Sequence, residues 1–194
     1  MSENKLLKNR IWMVGLIIII ASVSASLLTA INLGTRERIA LNEEIKLKKS
    51  VLSVFEIPYE KDEIIAVFDQ NIKTREVDGV WVYEYVANHK TSAIAFQMKG
   101  SGFWGPITGL VALDPRLTKV KGVEILRQEE TPGLGGRISE DVFKDQFKGR
   151  AVEPEIQVDA ITGATMTSKA FKTMINDETR KFKVIWQKQK RRKR

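Results

Sequence analysis

A chain of 194 residues can hold one hydrophobic core with appendages, and this one contains no cysteine and a single histidine, His89. That composition excludes disulfides, thiolate metal centres and iron–sulfur clusters, and it argues against a histidine-based metal site or triad; no metal ligand and no catalytic residue is assigned. The net charge of +8 is a property of residues 180–194, which hold nine Lys or Arg and no acid, and the rest of the chain carries 23 basic against 24 acidic residues.

In chain order, Lys5, Lys8 and Arg10 precede a stretch without charge from Ile11 to Thr35. A run of about 20 apolar residues crosses a bilayer as helix, so residues 11–33 are expected to form a transmembrane helix with Trp12 at one interface. Residues 1–10 are then the cytoplasmic N-terminus, and the domain that follows is extracytoplasmic. Arg36, Arg38, Lys46, Lys48 and Lys49 on the far side weaken that orientation signal. The competing reading is a cleaved signal peptide ending near Val23-Ser-Ala25. Apolar character resumes at Leu27-Leu28 and persists to Leu33, which favours a retained anchor.

Residues 34–78 read as a helical connector. Thr35–Phe55 lacks Gly and Pro and spaces Leu41, Ile45, Leu52 and Phe55 near the helical period, ending before Pro58. A short helix is expected over Asp62–Ile72, and Asp78-Gly79 marks a turn. The period then changes. Residues 80–87, 93–98, 107–113 and 120–126 are rich in aromatic and β-branched residues, as expected of antiparallel strands. Asn88-His-Lys90, Lys99-Gly-Ser-Gly102 and Asp114-Pro115 separate them. Ser139 reads as the N-cap of a helix to Phe147, Ile156–Asp159 as a short strand, and Thr167 or Ser168 as the cap of a last helix through Phe171, Met174, Ile175, Phe182 and Trp186. The fold class is α+β: a single N-terminal transmembrane helix, then one domain at 79–180 with an antiparallel sheet and flanking helices, then a basic tail at 181–194. That tail is either simply solvated or a contact for anionic lipid or an acidic partner; no nucleic-acid module accompanies it.

Three segments carry chemistry. Asp159-Ala-Ile-Thr-Gly-Ala-Thr-Met-Thr-Ser168 packs hydroxyls into a turn before a helix. A helix start presents free N–H groups and partial positive charge, which suits a phosphate. Gly163 permits the required torsions, and Thr167 and Ser168 can donate to phosphate oxygens. The bland reading is a strand–turn–helix junction with ordinary capping. Glu129-Glu-Thr-Pro-Gly-Leu-Gly-Gly136 is a turn-forming loop whose glycines would let backbone approach a flat ligand, with Leu134 on a ring face. It does not fit dinucleotide or P-loop spacing. Gly100-Ser-Gly-Phe-Trp-Gly-Pro106 places Trp104 where it either joins the core or stacks on a cofactor.

Together, Thr162-Gly-Ala-Thr165 behind Asp159, the loop Glu130-Thr-Pro-Gly-Leu-Gly135 and the segment Gly102–Ile107 resemble the FMN-binding domain shared by two subunits. These are the G subunit of Rnf-type ferredoxin:NAD oxidoreductase and the C subunit of the sodium-translocating NADH:quinone oxidoreductase. The resemblance covers about residues 90–176 and includes the membrane helix. It implies FMN joined covalently through its phosphate to Thr165, installed by a separate Mg-dependent flavin transferase that uses FAD. It implies Thr167 and Ser168 on the phosphate, with Gly163, Ala164 and Thr162 forming the turn. Trp104, Glu130, Thr131, Gly133, Leu134 and Gly135 would line the ring, and Asp159 would serve transferase recognition. Thr131 and backbone amides would favour the reduced flavin, and an ionised Glu130 near the ring would oppose added negative charge. The implied role is an electron carrier in a membrane ion-translocating oxidoreductase, not catalytic alone, in a bacterial or archaeal cell membrane. Its partners would be other Rnf or Nqr subunits, the transferase and the lipid bilayer. Chain length favours the Rnf G subunit. The alternatives are a non-pumping FMN-domain reductase or sensor subunit, a membrane-anchored module that binds a ligand reversibly, and a scaffold acting through its basic tail.

Overall fold

The structure is a computed structural model that describes residues 3–87 and 89–192. Met1 and Ser2 of the expected N-terminus, Asn88 of the expected turn, and Lys193 and Arg194 of the tail lie outside the described residues. The chain divides into two units, Met1–Glu44 and Ile45–Arg194.

The first unit is helical, part of helix α1 (Glu3–Val54). Its apolar side chains, among them Ile17, Ile18, Ile19, Leu27 and Leu28, are exposed. The helix is long and apolar enough to cross a membrane. Helical propensity alone does not sustain such an apolar surface in water, because isolated helices gain their stability from burying a face.

The second unit is built on one five-stranded antiparallel sheet in the simple order β1-β2-β3-β4-β5. The strands are β1 (Ile72–Val77), β2 (Val80–Ala87), β3 (Lys90–Ser101), β4 (Pro106–Leu113) and β5 (Val120–Gln128). Four of them coincide with the predicted runs. β1 does not: it was expected inside a helical connector, yet Asp78 (φ 47) and Gly79 (φ 81) turn the chain into a hairpin that pairs Val77 with Val80. The expected short helix is shorter at both ends, α2 (Ile64–Asn71).

The sheet is covered on both faces, which explains why β3 and β4 read as nearly continuous apolar runs rather than alternating ones. On one face, Tyr83, Ala95, Leu110 and Ala112 pack against Val51, Leu52 and Val54 of α1 and Ile64 and Phe68 of α2. On the other, Ile94, Phe96, Met98, Ile107, Val111 and Leu113 meet α4 (Thr165–Arg192) and the segment before it. Phe96 stacks on Phe182 with centroids 4.1 Å apart, fixing α4 across the sheet. Phe143, Phe147 and Phe171 form an edge-to-face trio beneath its first half.

Two further expectations are corrected. Residues 139–147 hold the last residue of a 3-10 turn (Gly135–Ser139), a four-residue helix α3 (Asp141–Lys144) and a second 3-10 turn (Asp145–Phe147), and Ser139 caps nothing; the residue preceding α3 is Glu140, with no side-chain cap bond. Ile156–Asp159 pairs with no strand. Side-chain amides hold it instead: Asn176 Oδ1 accepts from Ile156 N–H at 2.8 Å, and Gln146 Oε1 accepts from Asp159 N–H at 2.8 Å. A local apolar pattern cannot distinguish a ladder partner from an amide side chain.

Candidate functional site

Three segments remote in sequence converge at one end of the sheet: the loop after β3, the loop after β5, and the start of α4. Between them lies a cleft of about 330 Å³. Phe103 and Trp104 come from the first loop, Thr131, Leu134 and Gly135 from the second, and residues 163–167 from the third. Four large apolar side chains stand exposed around it: Trp104 (72%), Met166 (56%), Phe103 (50%) and Leu134 (50%). An apolar cluster left open to water beside a polar turn marks a ligand-binding surface.

The polar side of the cleft is the first turn of α4. Gly163 adopts φ +83°, and Ala164 N–H closes the turn onto the Ile161 carbonyl at 2.9 Å. Ser168 N–H is bonded to the Ala164 carbonyl at 3.0 Å, one helical turn back. The amides of Thr165, Met166 and Thr167 precede that first i to i−4 bond, so they have no acceptor within the helix. Thr165 opens the helix and is exposed, so its hydroxyl sits where those amides and the helix dipole favour an anion.

Beneath the cleft lies a carboxylate. Glu130 is only 5% exposed. Its Oε1 accepts from Trp104 N–H at 3.0 Å and Gly105 N–H at 3.4 Å, and its Oε2 accepts from the Thr167 hydroxyl at 2.8 Å. One side chain thus ties all three segments together. Burial pushes the Glu130 carboxyl up, but the hydrogen bonds from Trp104, Thr167 and Gly105 together outweigh it and hold the group below its ordinary value. Two glycines make room for it. A Cβ on Gly102 would lie 2.2 Å from Glu130 Oε1, and one on Gly135 would lie 2.6 Å from Thr167 Oγ1 and 2.7 Å from Glu130 Oε2.

Of the residues expected to bind a cofactor, Trp104, Thr131, Leu134, Gly135, Gly163, Ala164, Thr165 and Thr167 line the cleft. Glu130 does not line it; it braces the wall from behind. Thr167 and Ser168 are not helix caps. Both are buried, the first donating to Glu130 and the second accepting Ile161 N–H at 3.1 Å, so Ser168 does not reach the cleft. Thr162 and Gly133 are exposed outside the lining residues. The loop amides expected to bond a ring edge are partly spent, since those of Leu134 and Gly136 donate to the Thr131 carbonyl at 3.1 and 3.0 Å. Asp159 is exposed outside the cleft. The sequence reading omitted Phe103 and Met166 from the site. Each is adjacent to a residue it did assign, and which neighbour faces the cleft depends on the crossing of the loop and the helix.

The arrangement fits FMN. The exposed apolar side chains suit a flat aromatic ring, and the Thr165 hydroxyl among unpaired amides suits a phosphate.

Residues 102–178 match the FMN-binding domain family. The G subunit of the proton-translocating ferredoxin:NAD(+) oxidoreductase complex of Clostridium ljungdahlii is 32% identical over 126 residues, 59% of this chain and 67% of that one. The C subunit of the Na(+)-translocating NADH-quinone reductase of Neisseria meningitidis is 33% identical over 97 residues, 41% of this chain. The chain spans about 38% of the length of that relative. The crystal structure of the C subunit from Parabacteroides distasonis superposes with a TM-score of 0.64 at 23% identity, covering 73% of this chain and 92% of that one, and so shares the fold. The match to the Clostridium ljungdahlii G subunit over two thirds of that chain, together with the FMN-binding domain match, makes this chain a member of the family that contains the Rnf G and Nqr C subunits.

Proposed function

We propose that the chain carries FMN, bound covalently through a phosphoester to Thr165, and relays electrons as the G-type subunit of an ion-translocating oxidoreductase complex in a cell membrane. The observation that carries this reading is the exposed Thr165 hydroxyl opening α4 at the edge of the apolar cleft. The share of the relative's own length that the chain matches, 67% for the Clostridium ljungdahlii G subunit against 38% for the Neisseria meningitidis C subunit, supports the Rnf type.

When bound, FMN supplies the electron-accepting and electron-donating chemistry; the protein supplies position, exclusion of water and charge. Trp104, Phe103, Leu134 and Met166 would cover the ring. The free amides of the first turn of α4 would hold the phosphate, and Thr131 offers a hydroxyl at the cleft wall. Glu130 holds the walls in register. During maturation Thr165 Oγ displaces AMP from FAD. The Oγ–P bond forms, the pyrophosphate P–O bond breaks, and the hydroxyl proton passes to solvent. Asp159, exposed ahead of the turn, is available to the flavin transferase that catalyses this exchange.

The membrane-spanning reading of α1, with Lys8 and Arg10 on the cytoplasmic side, puts the flavin outside the cytoplasm. There a dissociable cofactor would be lost to a large volume, whereas a tethered one remains at high local concentration. The test is co-expression with and without an FAD-dependent flavin transferase, read by intact mass and by fluorescence on a denaturing gel. Transferase-dependent addition of one FMN, abolished in Thr165→Val, is expected. Fluorescence that persists through denaturation in Thr165→Val refutes the attachment site. Co-purification with polytopic membrane subunits is the expected result for membership of a pump, and isolation of the loaded chain alone favours a non-pumping subunit.

A further inference from the structure

The basic C-terminus is the one motif that the relay leaves unused. Helix α4 does not end where its packing ends. Among the described side chains Trp186 is the last that is buried, yet the helix continues to Arg192. Beyond Trp186, Gln187, Lys188, Lys190 and Arg191 are exposed. Among the described residues, no ion pair involves Lys188, Lys190 or Arg191, although Arg180, Lys181 and Lys183 just upstream are paired with Asp177, Glu178 and Glu153. The three basic residues just before Trp186 are thus neutralised, and the described ones beyond it, Lys188, Lys190 and Arg191, are bare.

The arrangement of these charges bears on what they meet. At about 100° per residue, positions 188, 190 and 191 fall within an arc of about 160° on one side of the helix. A broad basic side of this kind suits a flat sheet of negative charge. The body of the protein is close to neutral, so the tail is not part of a general basic surface. The same chain carries a helix able to span a bilayer, which keeps a lipid surface within reach of the tail at high effective concentration.

We infer that the basic end of α4 is a second, electrostatic membrane contact, binding anionic lipid headgroups and limiting the freedom of the flavin domain over the bilayer. The inference rests on the membrane-anchored reading of α1. It calls for no specific lipid, only negative surface charge, and such contacts weaken with salt as the Debye length shortens from about 10 Å at 0.1 M to about 3 Å at 1 M.

The absence of cysteine allows a clean test. Gln187→Cys, at an exposed position one residue past Trp186, is labelled with an environment-sensitive fluorophore, and the full chain is reconstituted into nanodiscs. Discs of phosphatidylcholine alone are compared with discs that also contain phosphatidylglycerol. A blue shift, quenching by brominated lipid and slower tryptic cleavage of the tail are expected only with phosphatidylglycerol. All three should be lost in molar salt, and the blue shift and the quenching should be lost when Lys188, Lys190, Arg191, Arg192, Lys193 and Arg194 are changed to Gln, a change that also removes the tryptic sites of the tail. Lys188, Lys190 and Arg191 are exposed beyond Trp186, so the variant should retain its melting temperature. Identical emission in the two kinds of disc overturns the inference. A shift with soluble polyglutamate but none with phosphatidylglycerol overturns it in favour of an acidic protein partner. Failure of the chain to insert into either disc removes the anchor, and the inference with it, whereas insertion without a lipid-dependent signal removes the tail contact alone.

Discussion

Glu130→Ala tests whether one buried carboxylate holds the three walls of the cleft together. The change removes the acceptor for the Thr167 hydroxyl and for the Trp104 and Gly105 amides. Hydrogen bonds to a charged group contribute roughly 1.5–3 kcal/mol each, and a buried donor left unsatisfied costs about 1–3 kcal/mol. The three bonds are not equal. Thr167 is 3% exposed and cannot turn to water, whereas Trp104 and Gly105 sit in a loop at the protein surface, where water can replace the carboxylate. The full loss is therefore counted once and the loop bonds only in part, giving about 2–4 kcal/mol. For a domain of this size about 1 kcal/mol lowers Tm by roughly 2–4 °C, so a drop of about 5–15 °C is expected by near-ultraviolet circular dichroism. Glu130→Gln keeps the shape and one acceptor oxygen but turns an amide donor toward donors, so its loss should be about half as large. The order wild type, Gln, Ala is the signature of a bonding role. An Ala variant that melts with the wild type, or a Gln variant that melts below Ala, refutes it.

The same carboxylate gives a pH dependence whose sign is determined. Its folded-state pKa lies below the ordinary value of 4.5, so its contribution is present above pH 4.5 and is lost as pH falls through the folded value. Melting curves through the acid range should show a shallower decline for Glu130→Gln than for wild type, and equal slopes would exclude the linkage. Asp114, also held low despite burial by bonds from Lys119 and Thr118, should supply a further part of the acid sensitivity. Gly102→Ala places a methyl against Glu130 Oε1 and should cost about 1–3 kcal/mol, whereas Gly149→Ala, at positive φ but with open space around it, should cost about 1 kcal/mol; urea midpoints distinguish the two. Thr165→Val, at an exposed first helical position, should change stability by less than about 1 kcal/mol while abolishing covalent flavin; loss of folding in that variant would make its lack of flavin uninformative and contradict the exposed placement.

Much of this protein is legible in its amino-acid order alone. Strand runs, the apolar N-terminal helix and the threonine-rich turn are local patterns, carried by side-chain type at short spacing, and each lies where those patterns place it. β1 is not legible in this way, because Ile72–Val77 becomes a strand only when its hairpin partner β2 is in place. The same holds for Ile156–Asp159, whose backbone groups are met by Asn176 and Gln146 from elsewhere in the chain.

The site divides along the same line. Composition and spacing determined that hydroxyls, glycines and aromatics would stand near the head of a helix, since a turn is decided within a few residues. Only the tertiary structure decided which of them face the cleft. Glu130 and Thr167 are 37 residues apart, and their bond at 2.8 Å turns both inward and leaves Thr165 outward. Burial is a property of what packs over a residue, and a sequence read locally contains no record of that neighbour.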